Sequence, residues 1–155
     1  FSDTFIATYT GKNITPKVTV KYKNITLREG IDYKVVYKNN KKIGTAKIYV
    51  IGLNNFKDSN TYKMKIIPAK TKITKKKATK KKITLKLKKV KGATGYQVMY
   101  SLKKNFKGKK KINTKKRTVV IKRKKSGKYY VKVRAYKKIG KKYVYGNYTK
   151  RITIK

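Results

Sequence analysis

The chain has 155 residues, 38% of them hydrophobic, and carries 48 Lys and Arg against 4 Asp and Glu, a formal net charge of +44. This hydrophobic content is enough to bury a core, so the charge does not indicate disorder. Cysteine and histidine are absent, which excludes disulfides, thiol chemistry, the usual zinc ligand sets and imidazole bases. No run approaches the roughly 18 apolar residues of a membrane span.

The charge is unevenly distributed along the chain. Residues 70–155 contain 35 of the basic residues and no acid. All the acids, Asp3, Glu29, Asp32 and Asp58, lie in residues 1–69. A field of this size attracts polyanions, so an anionic polymer is the partner that the sequence favours.

Residues 1–69 show four runs in which apolar and polar side chains alternate, the pattern of half-buried strands. The inward sets are Val18, Val20 and Tyr22; Tyr33, Val35 and Tyr37; Ala46, Ile48 and Val50; and Tyr62, Met64 and Ile66. Turn-forming residues separate the runs at 29–30, 38–44 and 52–55. Regular short strands without a helical period predict a sandwich or a barrel.

Six segments of this part resemble the Ig-like repeats of Gram-positive, especially clostridial, surface proteins. They are residues 9–12, 16–18, 27–33, 37–40, 43–46 and 52–56. The resemblance covers most of residues 9–67. It implies an extracellular β-sandwich that has no catalytic residues.

A change of composition marks the predicted domain boundary at Pro68-Ala69-Lys70. From there to Lys82 the chain is rich in Lys and Thr, which we interpret as a short linker that enters an edge strand. A disordered basic tether is the alternative. The predicted domains are therefore residues 1–69 and 70–155.

Residues 80–155 repeat the alternation of apolar and polar side chains. The inward sets are Ile83, Leu85 and Leu87; Tyr96, Val98 and Tyr100; Val119 and Ile121; and Tyr129, Val131, Val133 and Ala135. A hairpin at 139–141 and a last strand at 151–155 complete the series. About six or seven strands in this length are typical of a Greek-key sandwich.

Three segments of this second part, 90–98, 129–136 and 145–148, resemble bacterial fibronectin type III domains. Tyr129 matches the corner tyrosine of that family, whose hydroxyl bonds back to the main chain. Leu87 stands where the family usually has tryptophan, and Lys124 stands near a usual leucine, which implies a smaller core. Together the resemblances imply an all-β chain of two small antiparallel β-sandwiches, Ig-like and then fibronectin type III-like.

Candidate catalytic groups are few in this sequence. Glu29 and Asp32 are close enough to form a carboxylate pair, but their place before Tyr33 favours turn hydrogen bonds. No P-loop, dinucleotide fingerprint or calcium loop is present. We therefore predict that the chain is not an enzyme and has no catalytic residue, cofactor or metal site.

The candidate polyanion-binding residues are basic or aromatic side chains predicted to face outward from two strands, together with two dense basic clusters. They are Tyr130, Lys132, Arg134 and Tyr136; Arg151 and Lys155; Lys109, Lys110 and Lys111; and Arg123, Lys124 and Lys125. Lys and Arg bind phosphate or sulfate, and tyrosine rings stack on sugars or bases. The alternative is a solvated exterior that discourages aggregation between sheets.

These observations favour a non-enzymatic module pair of a bacterial surface or secreted protein, located outside the cell or in its wall. Its expected role is adhesion, spacing or wall retention, with electrostatic binding to wall teichoic acid or acidic glycans. Binding of extracellular DNA is one alternative. Self-association as the subunit of a fibre or matrix is another.

Overall fold

The computed structural model describes residues 4–155, and every regular element in that range is a β-strand. These residues contain no helix with the length and hydropathy that a membrane crossing requires. The strand pairs whose registers are described are all antiparallel. The predicted all-β, antiparallel fold is confirmed.

The chain forms two compact units, the first ending at Ile66 and the second starting at Ile67. The predicted domain limits, 1–69 and 70–155, stay a prediction.

The strands of the first unit are β1 (Thr4–Thr8), β2 (Lys21–Tyr22), β3 (Ile25–Thr26), β4 (Tyr33–Lys38), β5 (Gly44–Gly52) and β6 (Ser59–Ile67). One sheet has the order β1-β6-β5-β4, and β2 pairs with β3 alone. The register sets Tyr37 opposite Ile48 and Ala46 opposite Met64. These side chains share one face of the sheet, as the alternation predicts.

An extended segment, residues 9–20, covers this face without forming a regular strand. Tyr9, Ile14 and Val18 pack against the buried residues of the sheet. The Tyr33 hydroxyl donates a hydrogen bond of 2.9 Å to the carbonyl of Val18. The segment is therefore held by side chains that arise from the sheet.

The prediction of a first strand through Val18, Val20 and Tyr22 is wrong in part. Val18 does pack on the core, but the regular strand is limited to Lys21–Tyr22, and the Tyr22 side chain is 53% exposed. Lys23 has a φ of 51°, and the chain turns back there so that Tyr22 pairs with Ile25. A local hairpin has taken the place of a longer pairing.

The strands of the second unit are β7 (Ile73–Ala78), β8 (Lys82–Leu87), β9 (Gly95–Ser101), β10 (Lys110–Thr114), β11 (Thr118–Lys122), β12 (Tyr129–Ile139), β13 (Lys142–Tyr145) and β14 (Ile152–Ile154). Three strands form a sheet of order β11-β8-β7. The other five form a sheet of order β10-β9-β12-β13, in which β14 also pairs with β12.

The two sheets of the second unit pack face to face around one apolar core. Ile83 and Leu85 enter it from the three-stranded sheet and Val98 and Val131 from the five-stranded sheet, each with 0% exposure. Burying such a side chain contributes roughly 1.5–3 kcal/mol. Leu87 is also buried in this core, so the position where tryptophan was expected still carries a core residue.

Strand β7 forms the edge of the three-stranded sheet. The edge-strand interpretation of this region is confirmed, and the disordered-tether alternative is wrong for residues 73–78. Lys75, Lys76 and Lys77 are exposed along it. Lysines on an edge discourage pairing with another sheet because two such edges repel each other.

Tyr129 forms the predicted corner at the start of β12. Its side chain is 4% exposed, and its hydroxyl donates a hydrogen bond of 3.1 Å to the carbonyl of Lys125. The bond fixes the approach to β12, the central strand of the larger sheet.

We expect Tyr129→Phe to lower the free energy of unfolding by about 1 kcal/mol, because the carbonyl of Lys125 loses its hydrogen-bond donor. Tyr143→Phe is the matched control, since it removes the same hydroxyl from a ring that is 38% exposed. Urea unfolding of both variants measures the difference. Equal losses would contradict a stabilising role for the corner.

Candidate functional site

Four of the candidate residues lie on the outer face of the five-stranded sheet, since Tyr130, Lys132, Arg134 and Tyr136 alternate with core residues along β12. Tyr130, Lys132 and Arg134 are half-buried there. Tyr136 corrects the prediction, because it is only 5% exposed. The rings of Tyr143 and Tyr145 cover it, with centroids 5.1 and 6.1 Å away, so Tyr136 does not offer its ring to a ligand.

Aromatic rings and cations alternate on this face in what we call the cation–aromatic ladder, formed by Phe106, Lys132, Tyr148, Arg134 and Tyr145. The Lys132 Nζ lies 4.6 Å from the Phe106 centroid and 4.7 Å from that of Tyr148. The Arg134 guanidinium lies 4.3 Å from Tyr148 and 3.8 Å from Tyr145. Each contact of this kind is worth about 0.5–1 kcal/mol at an exposed site.

Gln97 links the ladder to the sheet beneath it. Its side chain is 4% exposed, and its Oε1 accepts hydrogen bonds from Arg134 Nε at 2.9 Å and from the Tyr148 hydroxyl at 2.7 Å. Its Nε2 donates to Asn113 Oδ1 at 2.9 Å. The predicted cations on this face are therefore held by the protein's own rings and amides.

The predicted last strand is limited to Ile152–Ile154, and the candidates Arg151 and Lys155 flank it in different surroundings. Arg151 Nη1 donates a hydrogen bond of 3.0 Å to the carbonyl of Lys104, and the guanidinium lies 5.5 Å from the Tyr130 ring. Arg151 thus ties the loop after β9 to the sheet. Lys155 follows β14 and is exposed.

The other two candidate clusters meet at one end of the sandwich. The loop between β9 and β10 and the segment after β11 form the two walls of a groove with a volume of about 410 Å³. We call it the lysine groove, after its members Lys103, Lys107, Lys110, Lys122, Lys124 and Lys125. Each of these six residues is exposed. Among the candidates, Lys110, Lys124 and Lys125 line the groove, whereas Lys109, Lys111 and Arg123 do not.

Local hydrogen bonds shape the first wall of the groove. Ser101 is 4% exposed; its hydroxyl donates to the carbonyl of Lys107 at 2.8 Å and accepts from the Lys103 N–H at 3.1 Å. Asn105 Oδ1 accepts from the Lys107 N–H at 3.0 Å. A chain rich in lysine is thereby fixed as a compact loop.

Arg123, another candidate residue, does not line the groove but shapes its second wall. Its Nη1 donates to the carbonyl of Thr79 at 3.1 Å, and its Nη2 donates to that of Gly127 at 3.0 Å. The guanidinium also lies 5.2 Å from the Tyr129 ring. Both terminal nitrogens therefore hold the chain around Lys124 and Lys125.

Asp32 has the turn role that the sequence predicts. Its Oδ2 accepts hydrogen bonds from the Arg28 backbone N–H at 2.8 Å and from Arg28 Nε at 3.2 Å. The backbone bond first, and the side chain of Arg28 second, lower the pKa of this carboxyl from its ordinary value. A carboxylate held in this way is a turn constraint.

Sequence reasoning missed Gln97, Phe106, Tyr145 and Tyr148 as parts of the outer face. A signal for Gln97 was present, because residues 92–102 are the longest stretch of the chain without a charged residue. A strand that lacks lysine in such a chain is covered on both faces. Phe106 lies in a loop and Tyr148 in an irregular segment, where alternation gives no direction.

No family model matches the sequence, and no curated protein matches it. Among solved structures, the FN1–FN3 domains of chicken CNTN1 are similar at 16% identity and a TM-score of 0.45. The match covers 73% of this chain and 43% of that one. At that distance the likeness says nothing about what the chain binds.

The geometry of the second unit nevertheless defines its structural class. It has two antiparallel sheets around one core and a tyrosine whose hydroxyl bonds to the main chain four residues upstream. These are features of β-sandwiches of the Ig and fibronectin type III kind.

We expect the contribution of Tyr148 to stability to disappear in alkali. Burial raises the pKa of its phenol above the ordinary value of 10.0, although Arg134 opposes the shift. A raised folded-state pKa means that the stabilisation is complete below the unfolded-state pKa. It is then lost as the pH rises through the folded-state value.

The measurement compares the wild-type chain with Tyr148→Phe, because both lose lysine charge in the same way as the pH rises. The wild-type advantage in free energy of unfolding should be constant near neutral pH and shrink above pH 10. An advantage that is independent of pH would contradict the role of the neutral phenol.

Proposed function

We propose that this chain is a non-enzymatic, extracellular pair of independently folding modules from a bacterial surface or secreted protein, and that its second unit holds anionic polymers by electrostatic attraction. One observation carries the binding proposal. Six lysines line the lysine groove in a part of the chain, residues 59–155, that contains no acid. Anions from outside this part of the chain must neutralise the charge.

The cations on the outer face of the five-stranded sheet are less available to an anion than the groove lysines are. Lys132 and Arg134 already have ring and amide partners within the ladder, so an incoming anion has to compete with them. The groove lysines are exposed and carry their charges into solvent. Attraction should therefore be strongest at the end of the sandwich that carries the groove.

The extracellular and bacterial setting rests on the two sequence resemblances, to Ig-like surface repeats and to bacterial fibronectin type III domains. That setting makes wall teichoic acid and acidic glycans the expected partners, and adhesion, spacing or wall retention the expected roles. Assembly into a fibre through the edge of the three-stranded sheet is disfavoured, because Lys75, Lys76 and Lys77 are exposed there.

The binding proposal is tested with a panel of teichoic acid, a heparin-like glycan, duplex DNA and neutral dextran at matched ionic strength. We expect binding to the polyanions but not to dextran, with affinity that falls as salt rises because bound counterions are released. Calorimetric titration at several salt concentrations measures this. Preference for DNA would support the nucleic-acid alternative, and indifference to all three polyanions would overturn the proposal.

A second prediction concerns stability rather than binding. Residues 70–155 hold 35 basic residues and no acid, so the second unit repels itself and added salt should stabilise it more than the first unit. Hydrogen exchange of amides in β5 and in β12, measured at low and high salt, reports the two units separately. Equal gains in protection would contradict the prediction.

A further inference from the structure

We infer that the lysine groove is a site for one strand of a flexible chain of linked phosphates, and that Arg123 positions its lysines without contacting the ligand. This inference rests on the proposed binding of polyanions by the second unit. It adds the place, the chemistry of the ligand and the residue that shapes the site.

The size of the groove selects a thin ligand. The volume of about 410 Å³ lies near the lower end of the roughly 300–1,000 Å³ that ligand pockets have. One segment of a linear polymer fits such a space. A whole DNA duplex does not, because it is much thicker than one strand, with a major and a minor groove about 12 and 6 Å wide between its two backbones.

The donors of the groove suit phosphate. All six of its charged residues are lysines, whose ammonium groups are point charges with three rotatable donors. Lysine binds phosphate in this way, as a point charge. Lysines on both walls would reach successive phosphates from two sides.

The aromatic residues of the groove disfavour a single-stranded nucleic acid. Tyr100 and Tyr129 stack on each other, with centroids 6.4 Å apart. The Arg123 guanidinium also lies over Tyr129. Proteins that bind single strands without sequence preference offer open rings for base stacking, and here the rings are occupied by one another and by arginine.

Arg123 fixes the wall that carries Lys124 and Lys125. Its hydrogen bonds reach Thr79 before β8 and Gly127 beyond the segment, while Tyr129 bonds the carbonyl of Lys125. The segment is thus held at three points despite repulsion among its charges. Without the two guanidinium bonds, Lys124 and Lys125 would separate from the opposite wall.

The site is tested with a groove variant, in which Lys107, Lys110, Lys124 and Lys125 are changed to Gln. A matched control changes the exposed Lys89, Lys91, Lys141 and Lys142 to Gln. The control residues lie at the far end of the sandwich, where β9 begins and β12 ends. Their substitution removes the same charge as the groove variant. The probes are inorganic polyphosphate, poly(glycerol phosphate), single-stranded DNA and duplex DNA.

The readout is the slope of log affinity against log salt, which is about −0.7 per phosphate contacted on a single strand. We expect the groove variant to flatten this slope by about three for a linear phosphate probe, and the control by less than one. Binding of only one of the two base-free probes would identify the source of the phosphate chain and support the site.

Several results would overturn the inference. Equal flattening in the groove and control variants would mean that net charge alone binds, although the proposed function would stand. The same groove dependence for single-stranded or duplex DNA would make nucleic acid the occupant. If the wild-type chain binds none of the probes or the polyanions tested above, the proposed function itself fails.

The role of Arg123 is tested with Arg123→Lys, which keeps the charge, against Arg117→Lys, the same change at an exposed arginine that does not line the groove. We expect Arg123→Lys to flatten the salt slope by about 1.4, because Lys124 and Lys125 leave the site. Arg117→Lys should leave the slope unchanged. An unchanged slope in Arg123→Lys, measured well below its melting temperature, would show that the residue acts only through stability or through charge.

Discussion

Repulsion among like charges is the constraint on which the second unit depends. Residues 59–155 contain no carboxylate side chain, and among the described residues the ion pair is Arg28–Asp32, in the first unit. The second unit must therefore fold without the neutralisation that acidic partners give most proteins. It does so with a dry core drawn from both sheets and with edges and loops that carry lysine into solvent, where water and salt screen it.

Arginine and lysine have separate roles under this constraint. Arg123, Arg134 and Arg151 donate hydrogen bonds to carbonyl or amide oxygens, and each also lies over a tyrosine ring. Such partners replace the missing carboxylates, because the planar guanidinium both bonds and stacks. Lysine forms most of the remaining exposed charge. The residues that hold the loops in place are thus distinct from those available to an anion.

Strand directions and the core were predictable because both follow from alternation, which is a local property. The residues along β12 lie on the faces that their spacing predicts. Accessibility was less predictable, since it depends on what lies above a face. Tyr136 occupies the outer face and is still buried, because Tyr143 and Tyr145 cross over it from the next strand. The failure of the first predicted strand has a related cause, because Tyr22 pairs within a hairpin.

The sequence by itself determined the all-β class, the composition of the core and the separation of charge between the two parts of the chain. Each depends on residue types and on a period of two. Only the tertiary structure decided which cations have partners within the protein, because rings and amides distant in sequence reach Lys132 and Arg134. It also joined the loop after β9 to the segment after β11 as one groove. Those segments meet because both lie at the same end of the sandwich, which chain order alone does not specify.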